Sequence, residues 1–246
     1  IMKYWNYPTI GKGTHTYLHS TYGTLSADFG STTYQWDQMP NIANSPNDAL
    51  SIFMYHCGVS LNMDYSPSGS GAGMSKEALV NYFNYSSNAQ FVRKSSYSYI
   101  DWLNLIKAEI DPLRPVWYDG FDDNSLVGHA FVVDGYQNSD YFHLNWGWGG
   151  YADGYFFLEN LNPGGYDFNS DQGAIIKIFP SDLPNGFKGF ILSDNWVSIS
   201  ANGGVDSVKL ISGVNWSASS NQPWLNINNS IGTPGTTSMI LSATEN

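Results

Sequence analysis

The chain has 246 residues, a formal net charge of −11 and only 13% charged residues. An average domain carries about 25% charged residues, so a polar but largely uncharged surface is expected, as suits an extracellular protein. The acidic balance argues against nucleic acid or anionic membrane as a partner, since both need basic patches. No apolar run approaches the ~18 residues of a membrane span, and the length suits about one or two domains. One cysteine, Cys57, excludes an internal disulfide and a cysteine-rich metal site. His15, His19, His56, His129 and His143 show no ligand spacing, so no metal and no cofactor are expected.

Residues 1–8 read as the end of a helix stopped by Pro8. Residues 11–30 alternate weakly and are rich in Thr and Tyr, which predicts a surface hairpin. Residues 47–56 read as a helix begun by Ser45-Pro46, with Ala49, Leu50, Phe53 and Met54 as its apolar stripe and Gly58 as its stop. Cys57 then sits at the last turn, where the helix dipole raises a thiol pKa, and is assigned to core packing. Residues 66–73 are a loop of Pro, Ser, Gly and Ala, suited to a linker or to a cleft wall that admits a substrate backbone. Residues 75–83 form a helix capped by Ser75, and residues 99–110 another, ended by Asp111-Pro112.

Residues 115–118 begin a strand expected to pair with the next one. Residues 128–150 then read GHAFVVDGYQNSDYFHLNWGWGG. Two strands, 129–135 and 141–146, flank turn chemistry at 137–140. A turn midway between them sets His129 beside Asn145. An imidazole used as a general base needs a neighbour that fixes its tautomer, and an Asn oxygen does so without adding charge. Trp146 and Trp148 flank the pair and shield it from water. His143 shares a face with Asn145 but is read as a satisfied structural histidine. Strands at 154–158 and 174–179 follow, and Pro180 closes the domain.

The set Gly128-His129-Ala130-Phe131, Asn145-Trp146-Gly147-Trp148-Gly149-Gly150, Ile1-Met2-Lys3-Tyr4, Asn6-Tyr7-Pro8, Met63-Asp64-Tyr65 and Phe168-Asn169 resembles papain-like cysteine peptidases, most closely the streptopain family. The resemblance covers residues 1–180 and implies an α+β papain-like fold. It implies His129 and Asn145 as catalytic residues, and Gly128, Gly71, Trp146 and Trp148 at the substrate. It also implies a nucleophilic cysteine about two helical turns before Ile1, with an oxyanion-hole glutamine further upstream. On that reading the chain is a fragment that starts inside its own active site, and the parent is a secreted or cell-surface bacterial cysteine endopeptidase acting on proteins or peptides. Two rivals remain: Cys57 as nucleophile, and an inactive surface protein that binds glycan or protein.

Residues 181–189 read as a linker broken by Pro184, Asn185, Gly186 and Gly189. Residues 190–246 turn to short alternating strands separated by Asn-Gly-Gly, Ser-Asn-Gln-Pro and Gly-Thr-Pro-Gly, the pattern of an immunoglobulin-like β-sandwich. Asn215-Trp216-Ser217-Ala218-Ser219 and Pro223-Trp224-Leu225-Asn226-Ile227 resemble the BACON module, which implies possible glycan contact. That module is expected to be incomplete at its C-terminal end. Alternation places Trp216 and Trp224 in its core rather than at a sugar.

Overall fold

The computed structural model describes residues 1–182, 190–193 and 197–244. They form two compact units, Ile1–Ile110 with Arg114–Ser181, and Asp111–Leu113 with Asp182–Asn246. Beyond Asp182, the expected linker lies outside the described residues.

The first unit is α+β. In chain order it contains α1 (Met2–Trp5), β1 (Thr14–His19), β2 (Gly23–Asp28), α2 (Asp48–Ser60) and α3 (Lys76–Tyr82). These are followed by β3 (Gln90–Arg93), α4 (Tyr99–Ile110), β4 (Val116–Asp122), β5 (Val127–Gln137), β6 (Tyr141–Asn145), β7 (Gly154–Phe157) and β8 (Ser170–Ile176). β1 and β2 make the expected hairpin. The other strands build one sheet in the order β3-β8-β4-β5-β6-β7, with every neighbouring pair antiparallel.

Two helix ends differ from expectation. α1 stops at Trp5 because Asn6 takes a left-handed conformation, φ 47°, and the Tyr7 N–H bonds back to the Met2 carbonyl, so the helix has ended before Pro8. α2 is capped by Asn47, whose side chain accepts the Leu50 N–H at 2.8 Å, and it continues through Gly58 to Ser60. Gly58 is no stop. A Cβ there would lie 1.8 Å from the Tyr65 hydroxyl, so this glycine serves close packing. The longer helix buries Phe53, His56 and Val59 and turns Met54 out to solvent.

The two faces of the sheet differ. On one, Val116, Tyr118, Phe131, Val133, Phe142, Leu144, Ala174 and Ile176 pack with Trp102, Leu103 and Ile106 of α4. Period-two alternation in β4 puts Val116 and Tyr118 on this face and Trp117 and Asp119 on the other. A polar chain crosses this core: Trp102 Nε1 donates to the Tyr118 hydroxyl at 2.9 Å, which donates to Gln172 Oε1 at 2.6 Å. Gln172 can accept there because β8 begins at Ser170, earlier than its apolar run suggested. β3 was not expected at all. Its four residues end in Arg93 and pair only with β8 at the sheet's edge.

The second unit holds β9 (Phe190–Leu192), β10 (Gly204–Ser212), β11 (Trp216–Ser217), β12 (Leu225–Asn228), β13 (Ile231–Gly232) and β14 (Gly235–Ala243). Four of them pair in the order β12-β14-β10-β9, and β11 pairs with β13. Ile191, Val208, Leu210, Ile211 and Trp216 are buried. Trp224 departs from expectation. It is 43% exposed, because it lies in the turn before β12, where strand alternation does not apply.

Candidate active site

His129 sits near the start of β5, opposite Gly120 of β4. Its ring stacks on Trp148 at 4.8 Å between centroids and lies 5.3 Å from the Phe168 ring, with Phe131 and Trp146 also against it. Gly120 makes part of this possible. A Cβ there would lie 2.3 Å from the Phe168 carbonyl, so only glycine lets that segment press down beside His129.

The imidazole is oriented by a backbone carbonyl. Its Nε2 lies 2.7 Å from the Trp146 carbonyl oxygen. A carbonyl only accepts, so Nε2 carries the proton and Nδ1 keeps the lone pair a base needs. Asn145 was expected in this position and is not there. The strands pair Gln137 with Tyr141, and after a bulge between Val133 and Gly135 they pair Val132 with Asn145. The turn therefore centres on Ser139, and together with the bulge this leaves Asn145 level with Val132. Asn145 Oδ1 instead accepts the Gly147 N–H at 2.9 Å, and Asp153 Oδ1 accepts the Trp146 N–H at 2.9 Å. Together they fix the turn that aims the Trp146 carbonyl at His129.

His129, Gly128 and Gly71 all line one cleft of about 490 Å³, with Met63, Ala72, Gly73, Trp117 and Phe121. Gly71 already exchanges both backbone hydrogen bonds with Asp64, so its gift to a ligand is space rather than a free N–H. Its missing Cβ would meet nothing within 4 Å. Trp148 is partly buried against the imidazole, whereas Trp146, expected at the substrate, is completely buried and packs instead. His143 pairs with Asp134 at 2.5 Å and does not line the cleft.

The sequence profile of the Peptidase C10 family matches residues 1–156, more than half of the chain. The chain belongs to that family. It is 35% identical to streptopain of Streptococcus pyogenes serotype M28 over 73% of this chain and 50% of that protein. It is also 35% identical to the thiol protease/hemagglutinin PrtT of Porphyromonas gingivalis, over 74% of this chain and 22% of that protein. Thus the chain spans about half the length of the streptopains it matches. The solved structure of active interpain A cysteine protease from Prevotella intermedia superposes with a TM-score of 0.66 and 35% identity, covering 71% of this chain and 78% of that one. Prointerpain A from the same organism gives 0.61, over 71% and 59%.

In this Peptidase C10 chain the only cysteine lines a different cavity from the one that holds His129. Cys57 lies in the last turn of α2 and opens into a separate apolar cavity of about 290 Å³, among Met2, Phe53, Leu79, Phe83 and Val132. Burial pushes its thiol up to about 12, so at neutral pH it is not a thiolate.

Burial among aromatic rings also lowers the His129 pKa, against the opposing pull of the Trp146 carbonyl, and burial lowers that of His56. Above about pH 6.5, the ordinary value, both imidazoles are neutral in either state. As pH falls below it, the unfolded chain takes up protons before the folded one, so stability drops until the folded values are passed. Thermal midpoints measured between pH 8 and pH 5 are expected to fall through this window, and to fall less in His56→Gln. A midpoint that rises on acidification contradicts the assignment.

Proposed function

We propose that the full-length protein is a secreted cysteine endopeptidase, with His129 as its acid and base and its thiol on residues that precede Ile1. The observation that carries this reading is the His129 ring itself, held through Nε2, with Nδ1 free of any hydrogen-bond partner among the described residues, at the wall of a cleft lined by small residues. The arrangement suits a thiol delivered to Nδ1. The thiol passes its proton to Nδ1, and the thiolate attacks the peptide carbonyl carbon, forming a C–S bond. The imidazolium then protonates the leaving amine as the C–N bond breaks. In the second half, His129 takes a proton from water, which attacks the thioester and releases the acid and the thiol. Substrates are proteins or peptides, as the names of the relatives suggest, and no cofactor takes part.

The second unit is read as the immunoglobulin-like module, and its exposed Trp224 is the aromatic surface it offers to a glycan.

The test is casein hydrolysis by the full-length protein and its Cys57→Ala variant. Equal rates are expected, because Cys57 only lines an apolar cavity. A folded Cys57→Ala protein without activity would move the nucleophile to Cys57 and sink this reading.

A further inference from the structure

The cleft beside His129 carries a charged row that the hydrolytic steps do not use. Strand register aligns Arg93 of β3 with Gly173 of β8, Gly173 with Asp119 of β4, and Asp119 with Ala130 of β5. Ala130 adjoins His129, and Arg93, Asp119 and Ala130 all line the cleft. Gly173 keeps the row open: a Cβ there would lie 2.8 Å from Asp119 Oδ1 and 3.3 Å from Arg93 Nη1. Without it, the two charged side chains face each other across the intervening strand.

They face each other without pairing closely. Arg93 Nη1 is 3.9 Å from Asp119 Oδ1, beyond hydrogen-bond reach. The same Nη1 donates to the Asp171 carbonyl at 2.8 Å and lies 3.3 Å from Asp171 Oδ1. Arg93 is thus held by Asp171. Asp119 Oδ1 is buried and has no hydrogen-bond partner among the described residues. The charged groups lining the cleft are Arg93, Asp119 and Asp171, with His129 as the titratable neighbour. One guanidinium against two carboxylates leaves the wall net negative, with the unmet acceptor at Asp119. The Asp119 side chain keeps 25% of its exposure, so a cation arriving in the cleft can meet the carboxylate and offset the cost of its partial burial.

We infer that Asp119 is a specificity-determining residue that selects a lysine or arginine side chain of the peptide, within one or two residues of the scissile bond. The inference rests on the peptidase reading. Burial raises the Asp119 carboxyl, while the Arg93 guanidinium and the Gly173 N–H oppose the rise, so selection sharpens as pH climbs through the Asp119 titration.

The test uses the full-length protein and peptides that differ at one position at a time, with lysine, arginine, norleucine or glutamate at each site around the cleaved bond. The expected result is kcat/KM at least about tenfold higher for lysine or arginine than for norleucine at one of these positions, equivalent to ~1.4 kcal/mol. Asp119→Asn brings that ratio to within about twofold of unity, while Asp119→Glu keeps part of the preference. Equal wild-type rates for lysine and norleucine at every position overturn the inference without any variant. So does an Asp119→Asn protein that slows all peptides alike. A wild-type protein that cleaves casein without charge preference defeats this inference only, whereas one that cleaves neither casein nor any peptide defeats the peptidase reading with it.

Discussion

Replacing His129 with alanine in the full-length protein is expected to lower kcat/KM for peptide hydrolysis by at least about a thousandfold, within the 10²–10⁴ range of a lost general acid–base group and near its upper part. Two steps fail together in that variant. The thiol keeps its proton at neutral pH, and the leaving amine has no acid to protonate it. The structure says why no neighbour substitutes: the rings nearest His129 are Phe131, Trp146, Trp148 and Phe168, none of which exchanges a proton near neutral pH. The check is steady-state kinetics beside a thermal melt, since His129 also packs against those rings. A correctly folded His129→Ala protein that keeps more than about a tenth of the activity removes His129 from the chemistry.

The second large effect belongs to Trp146→Ala, expected to destabilise the first unit by about 3–5 kcal/mol, the usual cost of emptying a buried tryptophan site. Trp146 is completely buried and touches Phe131 at 4.3 Å between centroids, Phe156 at 5.3 Å, and Phe168, Trp148 and His129 near 6 Å. Its loss opens the core directly behind the imidazole and frees the turn whose carbonyl orients it. Activity is therefore expected to fall beyond what unfolding explains. Trp146→Phe should cost far less, because the indole N–H has no hydrogen-bond partner among the described residues and a phenyl ring retains most of the contacts. Denaturant melts of both variants decide the matter, and a Trp146→Ala protein as stable as the parent contradicts the packing described here.

How much of this was legible in the residues divides along physical lines. The His129 strand, its partner β4, the helices at Ser75 and Tyr99 and the Thr-rich hairpin follow from alternation, capping and turn residues, all of which are local. The place of Asn145 does not follow from them. It depends on a register set by where the turn centres and by a bulge near Asp134, and a slip of that kind leaves no mark on composition. β3 and the start of β8 were missed because charged and polar residues carry them, and only the row across the sheet gives Arg93, Asp171 and Gln172 their reason to be there. Gly58 and Gly120 look alike as letters. Their purpose, room for Tyr65 and for Phe168, exists only in three dimensions.

The most direct measurement of the central claim is mapping of the reactive thiol. The full-length protein is treated with a limiting amount of iodoacetamide near neutral pH, and the alkylated peptide is located by mass spectrometry while activity is followed. The account predicts one fast alkylation at a cysteine preceding Ile1, activity lost in step with it, a much slower reaction in the His129→Ala variant, and Cys57 unmodified. Alkylation of Cys57 in step with the loss of activity would contradict it.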